Sequence, residues 1–345
     1  HLLLMDLAAL EEEAKALLPG PTYDYLAGGA GDEISLRDAV AAWDRIRLRP
    51  RVLRDVSNVD TATTVLGQAV GSPVLVAPTA FHKLFHPEGE LEMARGAAEA
   101  GALMVAATRS TTPLEDIAAT AEAPRWYQVY VLQERDHTAA LVERAAAAGY
   151  TALVLTGDTP VLGQRLRDVR NAFALPANVG ESAMQAGAAV GSLIDQDPTI
   201  TFDCIGWLRE LTGLPVLVKG VLRGDDAIAC LDAGAVGVGV SNHGGRQLDG
   251  AVSPADALSE VVEAVGDRGE VYVDGGIRRG VDVLRALALG ARAVMVGRPV
   301  IWGLATGGAD GVRRVLRGFQ HELALAMALC GARTVDEITA DLVAR

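Results

Sequence analysis

Residues 271–299 read VYVDGGIRRGVDVLRALALGARAVMVGRP. The run Val271–Gly276 is apolar and β-branched and ends in Asp274-Gly275-Gly276. An amphipathic stretch follows and closes at Gly290, where a helix C-cap wants glycine. A second apolar run, Ala293–Pro299, then begins. This is the pattern of a strand, a helix and a second strand.

The same alternation extends back to residue 74. Runs of the strand type occur at Val74–Ala80, Leu103–Thr108, Trp126–Val131, Ala152–Asp158, Pro215–Val221 and Val236–Asn242. All are near-continuously hydrophobic, as parallel strands covered on both faces must be. Gly101, Gly149, Gly213, Gly234 and Gly266 close the intervening helical stretches. Eight strands each followed by a helix predict an α/β fold of the (β/α)8 TIM barrel type. A doubly wound sheet accounts less well for the count of eight. The whole chain, 1–345, is read as one domain.

Before the barrel, Asp6 caps a helix carrying Leu7, Leu10, Ala14 and Leu17, which Pro19, Gly20 and Pro21 stop. Residues 22–60 mix short helical stretches with loops, and Thr63–Val70 forms a small strand pair. Strand starts lie about 20 to 35 residues apart, except for about 60 between the fourth and fifth. The excess, Asn171–Thr201, is rich in Gly, Ala and Ser: either a lid over the catalytic face or a disordered surface insertion.

Composition narrows the class. Half of the 345 residues are hydrophobic but only 4% are aromatic, so the core is built from Ala, Val and Leu. A net charge of −13 excludes a basic nucleic-acid footprint. Cys204, Cys230 and Cys330 lack metal-ligand spacing and read as reduced, mostly buried thiols, and no metal is expected. No run of about 18 apolar residues predicts a membrane span. The opening His1–Leu4 is too short for a signal-peptide core, and the terminal Leu342-Val343-Ala344-Arg345 lacks the peroxisomal tripeptide, so a cytoplasmic location is expected.

In such a barrel, the residues that end each strand face the active site. Those ends collect Pro78-Thr79-Ala80, Ala107-Thr108, Gln128 and Tyr130, Thr156 and Asp158, Lys219, Ser241-Asn242-His243, Asp274-Gly275-Gly276-Ile277-Arg278 and Gly297-Arg298. Polar groups concentrated at one end of apolar strands mark a site. The glycines Gly275, Gly276 and Gly297 with Arg278 and Arg298 suit a phosphate, whether of a cofactor or of a substrate. Lys219 could stabilise an anionic ring, form a Schiff base or bind substrate phosphate. His243, beside flexible glycines, suits a general base near neutral pH, with Asp158 placed to hold its second ring nitrogen. Arg246 and Arg165 reaching one mouth would clamp a carboxylate, though Arg165 in Arg165-Leu166-Arg167-Asp168 also reads as ordinary charged loop.

Together these segments resemble the family of FMN-dependent L-2-hydroxy-acid oxidases and dehydrogenases, which includes glycolate and lactate oxidases and mandelate dehydrogenase. The resemblance runs from Tyr23-Asp24-Tyr25 through His86-Pro87-Glu88-Gly89-Glu90, Gln128-Val129-Tyr130, Asp158-Thr159-Pro160 and Leu217-Val218-Lys219-Gly220 to Gly297-Arg298-Pro299. Its most specific element is Ser241-Asn242-His243-Gly244-Gly245-Arg246-Gln247-Leu248-Asp249. The resemblance implies that His243 is the base and Asp158 its partner. It implies that Arg246, Arg165, Tyr25 and Tyr130 bind substrate and that Lys219 faces the polar edge of the flavin. Gln128, Thr156 and Ser241 would bond the isoalloxazine or ribityl chain, lined also by Pro78, Thr79, Ala80, Ala107, Thr108 and Asp274. Arg278, Arg298 and the backbone of Gly275, Gly276 and Gly297 would hold the FMN phosphate. The first 70 residues would be an N-terminal helical cap, 171–201 a mobile active-site loop, and the assembly a tetramer.

Two positions depart from the pattern, and a third bears on the acceptor. Ala107 replaces a frequent serine, leaving Thr108 or backbone to compensate. Arg109 stands where glycolate oxidase has a tryptophan, which opens the site to a different side chain or a second anionic group. Ala80, glycine in the membrane-bound mandelate dehydrogenases, leans toward an oxidase that uses O2. The stretches 84–91 and 165–171 look most like bacterial hydroxymandelate oxidases and favour an aromatic hydroxy acid over lactate or glycolate. A dehydrogenase with a non-oxygen acceptor, an FMN-barrel isomerase of a phosphorylated substrate and a degenerate scaffold are the alternatives.

Overall fold

The computed structural model describes residues 5–176, 179 and 196–344. Helix α1 (Leu7–Leu17) starts where the Asp6 carboxylate accepts the Ala9 N–H at 3.0 Å. The Pro-Gly-Pro sequence stops it as expected and also starts the next helix. Helix α2 (Gly20–Ala27) begins there with proline in its first turn, where a missing N–H costs nothing. Helix α3 (Ile34–Arg45) and the antiparallel hairpin β1 (Thr63–Val65) and β2 (Gln68–Val70) follow.

Eight parallel strands then close into a barrel: β3 (Val74–Val76), β4 (Met104–Ala106), β5 (Arg125–Val129), β6 (Leu153–Thr156), β7 (Val216–Val221), β8 (Gly237–Val240), β9 (Glu270–Asp274) and β10 (Ala293–Val296), with β10 paired back to β3. Helices α4 (Gly89–Glu99), α5 (Leu114–Thr120), α6 (Arg135–Ala147), α7 (Leu166–Arg170), α8 (Asp203–Thr212), α9 (Gly224–Asp232), α10 (Pro254–Val265), α11 (Gly280–Ala288) and α12 (Arg298–Cys330) alternate with them. All eight predicted strands occur. Most stop a few residues short of the predicted ends, because the terminal residues leave the ladder to line the mouth. Helix α12 bends at Gly307 and Gly308. Helix α7 and the bend were not expected. Residues 177–178 and 180–195, the bulk of the predicted loop 171–201, lie outside the described residues.

Strand side chains divide into two cores. Leu75, Leu103, Val105, Trp126, Val154, Leu217, Tyr272 and Met295 point inward, and Trp126 meets Tyr272 edge-on at 5.4 Å. The hairpin adds Val65 and Val70 to this interior cluster. Val74, Val76, Met104, Leu153, Val216 and Val294 face the helices. Both faces of each strand are therefore dry, which is why period-2 alternation was invisible in the sequence. Cys204, Cys230 and Cys330 are free and buried. No helix among the described residues is long and apolar enough to cross a membrane.

The hairpin of the predicted 1–70 cap closes one end of the barrel, where the Leu66 N–H meets Glu270 Oε2 at 3.0 Å and Arg292 holds Thr64 at 2.7 Å. Helices α2 and α3 cover the opposite end, at which the strands point. Trp43 of α3 is fully buried and donates its indole N–H to the Gly275 carbonyl at 2.9 Å. Asp249 accepts the N–H groups of Asp32 and Ser35, both at 2.9 Å. At Gly276 φ is +76°, and a Cβ would lie 1.9 Å from the Ala39 carbonyl oxygen. The cap by itself already requires glycine here. We predict that Gly276→Ala lowers stability by about 2 kcal/mol or more through left-handed strain and overpacking. Chemical denaturation measures this, and it should be accompanied by weakened cofactor retention as α3 lifts from β9.

Candidate active site

At that end a cavity of about 600 Å³ opens between the barrel and the cap. Its wall includes Tyr25, Pro78, Thr79, Ala80, Ala107, Arg109, Gln128, Tyr130, Thr156, Arg165, Lys219, His243, Arg246, Asp274, Gly275, Gly276, Arg278, Gly297 and Arg298. Nearly the whole predicted set converges, although its members are separated by up to 273 positions in the chain (25 to 298). Asp158, Thr108 and Ser241 do not reach the cavity; each holds a residue that does.

His243 follows β8 with φ +59°, a left-handed conformation rare for a residue with a side chain. The local hydrogen bonds that hold it there are its own N–H to Ser241 Oγ at 3.0 Å and the Gly245 N–H to Asn242 Oδ1 at 3.1 Å. Its Nδ1 lies 2.9 Å from Asp158 Oδ1 and its Nε2 3.4 Å from the Tyr130 hydroxyl. Burial pushes the imidazole below its ordinary pKa, against the opposing pull of Asp158. For Asp158, burial acts to raise the pKa, but the charge and hydrogen bond of His243, with Lys219, hold it below the usual carboxylate range. Because a carboxylate only accepts, the Nδ1 side of the ring carries the proton toward Asp158, and in the neutral form Nε2, beside the Tyr130 hydroxyl, is the accepting nitrogen.

Lys219, on β7, is buried and contacts Asp274 Oδ2 and Ser241 Oγ, both at 3.2 Å. Burial alone would drive the ammonium toward neutrality; Asp274 and Asp158 outweigh it and keep it charged. Ser241, expected to bond the isoalloxazine or ribityl chain, also makes bonds within the protein. Its hydroxyl donates to Asp274 at 2.6 Å and accepts from Lys219 and His243. Thr108 is likewise engaged within the protein: its hydroxyl donates to the Gln128 carbonyl and its N–H meets Gln128 Oε1. Thr108 therefore does not replace the hydroxyl missing at Ala107. Instead it orients Gln128, whose amide donates to Thr156 at 2.9 Å.

Three arginines form the electrostatic feature of the cavity. Arg278 lies over the Trp302 ring, and Arg298 and Arg246 are sunk beside the cap. Burial, then the like charges of Arg246 and Arg278, push the Arg298 guanidinium well below its ordinary value. No carboxylate forms an ion pair with any of the three among the described residues. Such a cluster is costly in itself, and an anion supplied from outside relieves it. Arg298 has a second role beside the expected one: Nε and Nη2 donate to the carbonyls of Leu26, Gly28 and Gly244, which rivets the cap. Gly297 is the N-cap of α12 and has no side chain to satisfy that helix terminus. A Cβ at Gly297 would meet protein only at 3.8 Å or beyond, so the empty space there belongs to the cavity. Arginines, a helix N-terminus, an ammonium and a Gln–Thr pair fit a phosphate at one end of the cavity and a polar planar ring further in, as FMN requires.

The outer part of the cavity is a second, smaller anion trap with apolar walls. Arg246 Nη1 donates to the carbonyls of Tyr25 and Gly28 at 2.6 and 3.1 Å, and its guanidinium stacks 5.0 Å over the Tyr25 ring. Arg165 reaches the same place, with its Nε 3.5 Å from the Arg246 carbonyl. Arg165 is thus a cavity residue, whereas its neighbour Arg167 is a structural link to Asp24 and Glu33. Phe81, Leu162, Phe173, Leu175, Asp168 and Gln196 also line the wall and were not singled out from the sequence. Phe173 stacks on Tyr25 at 4.7 Å. The signal for Phe81 was its place directly after Pro78-Thr79-Ala80; residues 173–196 lie in the weakly periodic insertion and carried none.

The FMN-dependent dehydrogenase family matches residues 14–345. The L-lactate oxidase of Nostoc sp. is 47% identical, over 97% of this chain and 96% of its own length. The peroxisomal (S)-2-hydroxy-acid oxidase GLO4 of Oryza sativa subsp. japonica is 49% identical over 95% and 93%. A mandelate oxidase solved with (S)-2-phenylpropionate superposes with a TM-score of 0.91 at 45% identity, covering 98% of this chain and 97% of that one. Another mandelate oxidase structure holds an FMN adduct, with a TM-score of 0.90 at 45% identity over 96% and 97%.

The Asp158–His243 geometry has a pH consequence. An anion beside His243 favours the imidazolium, so removing it lowers the histidine pKa further. We predict that Asp158→Asn shifts the acid limb of the kcat/KM profile to lower pH and depresses its plateau about 10- to 1000-fold. Steady-state rates between pH 4 and 9 measure both.

Proposed function

Because the chain belongs to the FMN-dependent dehydrogenase family, we propose that it oxidises an L-2-hydroxy acid with a bulky aromatic side chain to the 2-oxo acid. In this reading His243 is the base and O2 the final acceptor, released as hydrogen peroxide. The observation that carries the proposal is the imidazole locked by Asp158 with Nε2 turned to Tyr130, in the same cavity as the Arg246–Arg165 pair.

FMN, when bound, supplies the two-electron acceptor. Arg278, Arg298 and the α12 terminus would hold its phosphate; Gln128, Thr156 and Lys219 would meet the polar edge of its ring. The protein's own tasks are binding, orientation and proton transfer. Arg246 and Arg165 receive the substrate carboxylate, assisted by Tyr25, in a bidentate geometry that fixes the α-carbon. The α-hydroxyl then lies against Nε2 of His243 and the Tyr130 hydroxyl. As the proton arrives on Nε2, Asp158 stabilises the imidazolium without taking the proton itself. Overall, the hydroxy acid loses two hydrogens, forming C=O, and O2 becomes H2O2.

Aromatic selectivity is supported by Phe81, Leu162, Phe173 and Leu175 around the outer cavity, a wall that a methyl group would leave unfilled. The similarity of the chain to mandelate oxidases and to a lactate oxidase spans both size classes, so the wall residues carry this part of the proposal. The proposal also includes a cytoplasmic tetramer, which sedimentation of the purified protein and cell fractionation would test.

The decisive experiment is anaerobic mixing of the FMN-loaded protein with a panel of aromatic and aliphatic L-2-hydroxy acids. Bleaching is expected with (S)-mandelate faster than with L-lactate, and admitting air should restore the yellow colour with stoichiometric peroxide. A flavin that stays oxidised throughout would refute the oxidoreductase assignment; bleaching without peroxide would make the enzyme a dehydrogenase. His243→Ala should retain its flavin while losing about 10³-fold in bleaching rate.

A further inference from the structure

We propose that Arg109 is a specificity-determining residue that receives an anionic group at the far end of the substrate side chain. The inference rests on the 2-hydroxy-acid reading above and deepens it.

The cavity wall carries six permanent cations: Arg109, Arg165, Lys219, Arg246, Arg278 and Arg298. It carries two carboxylates, Asp168 and Asp274. Asp274 is paired with Lys219. Asp168 lies in the field of Arg246 and Arg165; burial raises its pKa, although both arginines oppose the rise. A dianionic phosphate accounts for Arg278 and Arg298, and the substrate α-carboxylate for what remains at Arg246 and Arg165. Arg109 has no counterion in this account. Half-buried and facing the cavity, its guanidinium keeps its donors available for an anion that enters.

The surroundings of Arg109 point the same way. Its backbone is fixed: the carbonyl accepts the Phe81 N–H at 2.9 Å. Just beyond it, Thr111 and Thr112 are tied to buried Glu90 at 2.6 to 2.9 Å. Its guanidinium, by contrast, has no hydrogen-bond acceptor or ion pair among the described residues, and rests only on the Tyr130 ring at 5.7 Å. It sits beside the base through Tyr130, on a different strand loop from the carboxylate clamp. A substrate held by its carboxylate at Arg246 would extend its side chain along the Phe81 and Tyr130 wall toward Arg109. A carboxylate at the end of that side chain would form a charge-assisted, planar pair there.

The test uses the FMN-loaded enzyme with (S)-mandelate and its ring-carboxylated analogue, (S)-4-carboxymandelate. Anaerobic bleaching gives kcat/KM for each. Perturbation of the flavin spectrum gives Kd for the corresponding 2-oxo acids, which do not react. The carboxylated compounds are expected to be favoured, and Arg109→Gln should lower the carboxylated-to-plain ratio about tenfold or more in both measurements, the size of one charge-assisted hydrogen bond. Arg109→Lys should keep part of the ratio, and 0.5 M salt should lower the ratio less in Arg109→Gln than in the parent. If Arg109→Gln weakens both acids equally, the arginine is only a prop for Tyr130 and the proposal is overturned; an unchanged ratio overturns it as well. If neither acid bleaches the flavin, it is the hydroxy-acid reading that fails, and the Kd ratio still reports on Arg109 separately.

Discussion

Closure of the parallel barrel is the constraint on which everything else depends. With β10 hydrogen-bonded to β3, every strand points the same way and every loop that follows a strand emerges on one rim. His243 after β8, Asp158 after β6, Tyr130 after β5 and Arg298 after β10 become neighbours for that reason alone. No local propensity brings them together. The two hydrophobic cores, one inside the barrel and one under the helices, supply the stability against which the rim can carry unfavourable groups.

The rim does carry them. His243 is held at positive φ, and Arg246, Arg278 and Arg298 lie close together with no carboxylate ion-paired to them among the described residues. These are costs in the free protein, and the chain offsets them with the cap. Arg298 and Arg246 donate to carbonyls at the end of α2, Trp43 of α3 donates to Gly275, and Asp249 binds the start of α3. The same contacts roof the cavity, so cap docking and ligand binding are expected to reinforce one another. Within a chain of net charge −13, the local concentration of arginine creates the field that an anionic cofactor and substrate require.

Much of this was legible in the residues. The eight strands were found because each is a short apolar run closed by polar groups, and the glycines Gly101, Gly149, Gly213, Gly234 and Gly290 do take positive φ at helix ends. Most of the site was legible because barrel geometry makes strand ends converge. What spacing left open has one cause: a polar residue at a strand end can point into the mouth or into the wall, and spacing does not distinguish them. Ser241 and Thr108 turned out to orient Lys219, His243 and Gln128, and Gly276 serves the packing of Ala39. Phe173 and Leu175 were missed because the insertion has no periodicity to argue from.

What the sequence determined by itself was the list of parts: parallel strands, their order, the polar residues at their ends and a histidine flanked by glycines. These follow from hydrophobicity and backbone freedom, which are properties of neighbouring residues. Only the tertiary structure decided which nitrogen of His243 faces Asp158, which atoms of Arg298 are spent on the cap, and that Arg109 faces the cavity with no ion-pair partner among the described residues. Hydrogen-bond partnership and counterion balance depend on distances between residues far apart in the chain, and those distances exist only once the barrel has closed.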